Sequence, residues 1–431
     1  MKRIFTFLSL LCLLLSVSSQ LTAGGVDSKT NWSVEYIRTL NRNAATDSAD
    51  IAAYNPAGVM RMDDGVYLNC SFHNILKTYT NEINGVDLET DTPSLVPGLF
   101  GIYKDDRWAG YAAFTIVGGG GKVEFKRGNA TTSTIGLGLI TGANATLAGF
   151  LVPADFWYTN IKSQDLDAES VYLGFTLGGS YALNDTVSVS LGARYTDAQR
   201  EAEASLAISA ANPLPGVNDD IKGVVDYEQE ANGWCTIIGF NIAPSDELNI
   251  GLRYESKTKL DFEDTVKTDT LGILPSLGIE TGNKARRDLP ALLGLGVSYG
   301  FTPRVKIETT LTYYFQKDAN WNGADRNVDD GYDLGVAIEY AFNDKLRGSL
   351  GYLYTDTGMK PVYMLPELPE LNANSIGSGF VYEATDVLDL NFAVGRVFYQ
   401  DDSFTSAMTG AKIRYEKEIY FLAFGIQYKF E

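Results

Sequence analysis

Histidine is nearly absent: His73 is the single one in 431 residues. A histidine-ligated metal cluster is therefore excluded, and any serine–histidine nucleophile has to use His73, with Ser71 on the same face of the same segment. Cysteine is scarce. Of three, Cys12 lies in the leading apolar run, with no small residue before it to suggest a lipoprotein site, and only Cys70 and Cys235 remain, too few for a disulfide framework. After that leading run no stretch approaches the roughly 18 unbroken apolar residues of a membrane helix. Cations are outnumbered, giving a formal net charge of −19, which argues against nucleic-acid partners. The Gly118–Gly121 run lacks the following Lys-Ser/Thr of a phosphate loop, and nothing else calls for a cofactor or a metal.

What is abundant is glycine (43) and tyrosine (25), together with strict two-residue alternation. Val187, Val189, Leu191, Ala193 and Tyr195 alternate with small or polar residues, and so do Leu248 to Tyr254, Val305 to Phe315 and Tyr332 to Phe342. Side chains of a strand point alternately to opposite faces, so each segment has one greasy and one wet face. Two features favour a membrane barrel with the greasy face outward over a soluble sandwich. The strands are long, and aromatics stand at strand ends, as at Tyr181, Tyr195, Tyr254, Tyr299, Phe301, Tyr340, Phe342 and Tyr354.

Short turns at 104–106, 184–185, 244–246, 302–303, 343–344 and 385–386 alternate with loops at 84–94, 126–165, 209–221, 264–279, 319–327, 359–373 and 400–412. Between them lie fourteen strands: 66–83, 94–104, 107–125, 166–183, 186–208, 222–243, 246–263, 280–301, 304–318, 328–342, 345–358, 374–384, 387–399 and 413–430. An even count puts both termini on the periplasmic side, and closure leaves no free edge in lipid. Lys2 and Arg3 before Ile4–Val17, then small and polar residues, predict a signal peptide over 1–23, cleaved after 19 or 23.

The stretch Tyr36 to Gly58 ends in Asn55-Pro56-Ala57-Gly58, a turn that blocks helix growth, and Ser48-Ala49-Asp50 can cap a helical turn before it. Its arginine, its RNAAT run and its Y-N-P-A-G ending resemble the N-terminal plug, or hatch, of the FadL/TodX family of outer-membrane channels for long-chain fatty acids and other hydrophobic compounds. The resemblance implies an all-β, 14-stranded antiparallel transmembrane barrel, with a hatch over 24–62 closing a barrel of 63–431. It implies an outer-membrane protein that is not an enzyme, carries a hydrophobic small molecule inward and contacts outer-membrane lipid; a monomer is expected.

Three groups of residues are candidates for this work. Gly118, Gly119, Gly120 and Gly121 lie in the third strand. In the family a kink there opens the wall so that a greasy ligand leaves sideways; alternatively, the strand ends early and the glycines begin a loop. Ile135, Leu137, Leu139, Ile140, Phe150, Leu151, Phe156 and Trp157 make an apolar excursion in the following loop, either a capture surface or a self-packed helical lid. Arg194, Arg253, Lys306 and Glu308, with Glu339, Arg347 and Asp389, face the lumen, to hold an acidic head group or to hold the hatch through partners such as Arg38 and Arg42. The rivals are a diffusion porin, a lipid hydrolase using His73 and a surface adhesin.

Overall fold

The computed structural model describes residues 33–323, 328–407 and 409–430. The expected signal peptide and the first residues of the expected hatch lie outside them. Eighteen hydrogen-bonded segments form one antiparallel sheet closed on itself, and because four staves are each interrupted once, they make fourteen staves. In chain order these are β1 (Gly65–Ile83), β2 (Val86–Thr90 and Ser94–Asp105), β3 (Trp108–Phe125), β4 (Tyr158–Ala182), β5 (Val187–Ala210), β6 (Ile221–Ile242) and β7 (Leu248–Glu255 and Asp261–Asp269). The second half is β8 (Lys284–Arg286 and Ala291–Thr302), β9 (Val305–Phe315), β10 (Gly331–Asn343), β11 (Leu346–Asp356), β12 (Ala373–Thr385), β13 (Leu388–Tyr399 and Asp402–Thr405) and β14 (Lys412–Phe430). Closure runs from Val66 opposite Phe430 to Ile83 opposite Ile413.

The parity read from sequence holds. Leu177, Leu191, Trp234, Leu350 and Leu422 are exposed on the outside, whereas the alternate residues of the same staves are buried. Tyr299 with Phe301 (4.8 Å) and Tyr340 with Phe342 (5.1 Å) build the lower aromatic girdle, and Tyr195 with Trp234 (5.1 Å) belongs to the upper one. About 9–11 residues cross a bilayer, so β4, β5 and β6, at 25, 24 and 22 residues, carry the wall well beyond the outer girdle.

Three loop boundaries differ from the sequence reading. The expected loop at 84–94 is a tight turn at Asn84-Gly85, both with positive φ (50° and 83°), after which β2 begins at once. The expected loop at 126–165 contains a long helix and the first turns of β4, and β7 continues to Asp269.

The lumen is occupied by the hatch. Helix α1 (Val34–Thr39) is capped by Ser33, whose Oγ accepts from the Tyr36 amide, and it stops at Leu40 in a left-handed conformation (φ 54°). Helix α2 (Ile51–Tyr54) follows as the sequence suggested, although Asp50 makes no capping bond; its carboxylate takes Arg42 and Ser33 instead. A 3-10 turn, Pro56–Arg61, then leads to the barrel.

Candidate functional site

The hatch lies against the wall with backbone touching backbone. A Cβ added at Gly251, Gly351 or Gly377 would overlap the carbonyl oxygens of Asn43, Thr39 and Ile37 respectively, and one at Gly296 would strike Asn43 and Ala44. These glycines on β7, β8, β11 and β12 form a seat that any side chain would fill. The Asn-Pro-Ala-Gly ending docks on three successive staves. Asn55 Nδ2 donates to Asn241 on β6 (2.9 Å) and to the Ala45 carbonyl (3.0 Å). The Pro56 and Ala57 carbonyls accept from Ser180 on β4 and Ser188 on β5, both at 2.7 Å. Gly58 is forced by its own neighbour, since a Cβ there would meet the Asn55 side chain.

Of the seven predicted lumen charges, Arg194, Arg253, Lys306 and Glu308 face inward, and each is engaged. Arg194 grips Glu255 (2.6 and 3.2 Å), Arg253 donates to the Ala53 carbonyl at the end of α2, and Glu308 accepts from the Ala44 amide (3.1 Å). Lys306 pairs with Glu339 (2.5 Å), which also takes Arg38 of α1. Of the two hatch arginines, Arg38 thus finds a wall carboxylate, while Arg42 is spent inside the hatch on Asp47 (2.8 Å) and Asp50 (2.5 Å). Asp47, which no sequence pattern singles out, is the hub; Lys306 (3.8 Å) and Arg347 (3.5 Å) reach it from the wall. Burial opposes its charge, but Arg42, Lys306, Arg347 and Arg38 together hold the carboxyl well below the usual range. Glu35 goes the other way: burial first, then Asp50, push its carboxyl up to about 7 against Arg42. Ser71 Oγ accepts from the Val34 amide, which ties it to the hatch.

The glycine run remains within its strand. Gly119 and Gly121 have φ of 89° and 67°, left-handed values that favour glycine, and the β3–β4 register shifts twice between Ile116 and Gly121. On the other side, the β2–β3 ladder ends at Leu99 opposite Phe114. Farther out, the Glu124 amide donates to Thr90 Oγ1 (3.1 Å) and Thr92 Oγ1 (3.2 Å). Between those points the residues around 94–98 and 115–123 are not laddered to each other. Lys77, buried on the inward parity of β1, donates to the Gly120 carbonyl (2.5 Å), and Leu368 of the loop after β11 covers Gly120. Lys77 is a second residue that the sequence reading missed; its parity was the available clue.

The apolar excursion divides. Helix α3 (Ala130–Gly149) begins with a capping box between Asn129 and Thr132. Ile135, Leu139, Ile140 and Trp157 pack with Tyr158, Leu206 and Ile208 into a cluster on the extended wall. Leu137 and Phe156 are partly buried, while Phe150 (74% exposed) and Leu151 (89%) project at the end of the helix. Self-packed lid and exposed apolar tip are therefore both present.

A family model described as outer membrane protein transport protein (OMPP1/FadL/TodX) matches residues 14–430. Among solved structures, a Pseudomonas aeruginosa FadL homologue aligns over 95% of this chain and 100% of its own, with a TM-score of 0.68 and 15% identity. The Pseudomonas putida toluene transporter TodX aligns over 94% and 100% (TM-score 0.65, 13% identity), and the Ralstonia pickettii toluene transporter TbuX over 94% and 100% (0.61, 14%). No curated protein matches the chain by sequence. Identities this low carry the fold alone, and the family rests on a match spanning nearly every residue. A closed barrel with a seated hatch and a match of that length lead to one assignment: the chain belongs to the OMPP1/FadL/TodX family of outer-membrane transport proteins.

Proposed function

We propose that this protein is a passive channel through which long-chain fatty acids or other hydrophobic compounds enter, released sideways through the wall at β3. The observation that carries the reading is the end of the β2–β3 ladder beside Gly118–Gly121, above a lumen floored by the hatch. Backbone left unpaired within lipid is costly, so an unladdered wall segment there calls for a use. An acyl chain gains roughly 0.8 kcal/mol per CH₂ in an apolar medium, so a lateral exit suits it better than a watery one. The exposed Phe150 and Leu151 would receive the ligand first. The accompanying organisation is a signal peptide over 1–23, a hatch over 24–62 and a barrel over 63–431, acting as a monomer surrounded by outer-membrane lipid.

The test is uptake of a labelled long-chain fatty acid by cells carrying the intact protein or a Gly119→Val, Gly120→Val variant. Valine disfavours the left-handed backbone of Gly119, and at Gly120 it collides with Leu368. Uptake by the intact protein, lost in a variant that still shows the heat-dependent gel mobility of a folded barrel, supports lateral release. Undiminished uptake in the variant removes the lateral exit, and no uptake by the intact protein removes the fatty-acid assignment.

A further inference from the structure

The inner wall above the hatch holds a cation that no carboxylate among the described residues pairs with. Arg287 lies in the interruption of β8, beyond the upper girdle, and its amide donates to the Leu260 carbonyl (2.8 Å). It therefore shares the inward face of fully buried Leu260 and is itself only 7% exposed. Among the described residues no carboxylate pairs with it, and its Nη1 is buried without a hydrogen-bond partner. Its neighbour Arg286 is treated differently, with Asp288 and Asp261 (3.2 Å) both at hand.

A second arginine stands beside it. Arg200 projects inward from β5; its Nε donates to Tyr172 Oη (2.5 Å), and its guanidinium lies 4.5 Å from the Phe262 ring centroid. Burial first, and then the like charge of Arg200, push the Arg287 guanidinium down to about 9. A desolvated cation facing another cation is a standing cost to the fold. What relieves it is an oxyanion, whose oxygens match the forked donors of two guanidiniums. Tyr172 Oη accepts from Arg200, so its own hydrogen is left for the same anion. The Tyr172 ring also covers Gly118, its register partner, which places this group at the inner edge of the β3 interruption.

We propose that Arg287, with Arg200 and Tyr172, binds the oxyanion head group of an amphiphilic ligand (a carboxylate, sulfonate or phosphate on an apolar tail) and so selects acidic over neutral compounds. This rests on the reading of hydrophobic passage above and adds the head-group chemistry to it.

The full-length protein, refolded in a non-ionic detergent, is titrated calorimetrically with dodecanoate, dodecyl sulfonate, dodecyl phosphate, dodecanol and toluene. The wild type is expected to bind at least one of the anions more tightly than dodecanol, their order identifying the head group. Arg287→Met weakens that anion at least tenfold and leaves dodecanol and toluene within twofold, and Arg287→Lys retains part of the anion affinity. Should Arg287→Met not refold, Arg200→Gln is expected to give the same pattern. Anion affinity unchanged by Arg287→Met, or an equal loss for neutral and anionic ligands in a folded barrel, overturns the proposal. Passage of dodecanol and toluene into vesicles is scored separately. Its absence would count against hydrophobic passage, whereas its presence with anion binding indifferent to Arg287 would overturn the head-group site alone.

Discussion

At the scale of single residues, Glu35 and Asp47 give the hatch opposite responses to pH. Glu35 Oε1 accepts from Asn69 Nδ2 (2.7 Å) and Ser48 Oγ (3.0 Å), but Oε2 is buried without a hydrogen-bond partner. Because the folded-state value is raised from 4.5 to about 7, its contribution to stability is full below 4.5 and is lost as pH rises through 7. Asp47 is lowered from 3.8, so its contribution is present above that value and is lost in acid. The two windows do not overlap. Glu35→Gln is expected to flatten the fall in the urea midpoint between pH 4.5 and 7, a difference of about 3 kcal/mol, and to leave the acid limb below 3.8 in place. A variant that keeps the wild-type slope across that interval would exclude Glu35 as its source.

At the scale of elements, the glycine seat fixes where the hatch can lie. Gly377 on β12 faces the Ile37 carbonyl so closely that Gly377→Val must push α1 off the wall, straining the Arg38–Glu339 pair beside it. The expected result is a barrel that still refolds but conducts ions across a planar bilayer; conductance equal to wild type would mean that α1 repacks without opening a path. This seat was invisible in the sequence, where Gly251, Gly296, Gly351 and Gly377 look like ordinary small residues on the wet face of alternating strands. The staves themselves were legible, because period-2 burial stamps itself on every strand whatever its neighbours. Two elements were less so. Helix α3 was legible only as one of two readings of the apolar excursion, a helical lid, because it carries no charge and is interrupted by Gly136, Gly138 and Gly142, so its apolar residues show no clear helical period. The Asn84-Gly85 turn is masked by the polar residues around it, which read as a loop, although that dipeptide is the strongest short-range hairpin signal. Asp47 and Arg287 required the closed barrel, since their partners, or the absence of a partner, lie on staves far away in sequence.

At the scale of the whole molecule, what matters is whether ligand goes through the floor or around it. The hatch is held by its glycine seat, by three docked residues of the Asn-Pro-Ala-Gly ending and by the charges meeting at Asp47. Releasing all of these together would part Arg38 from Glu339, Lys306 and Arg347 from Asp47, and the Ala44 amide from Glu308, and breaking a buried ion pair alone costs about 3–5 kcal/mol. A route through the side wall needs none of that. The two routes separate when the floor is locked. A Cβ at Gly425 on β14 would stand 3.0 Å from Val34 Cγ2 in α1, within reach of a disulfide. In a background with Cys70 and Cys235 replaced, Val34→Cys with Gly425→Cys is expected to form a reducible crosslink and to transport labelled ligand equally well oxidised and reduced. If transport stops on oxidation and returns with reductant, α1 has to leave its seat, and ligand passes through the floor of the barrel.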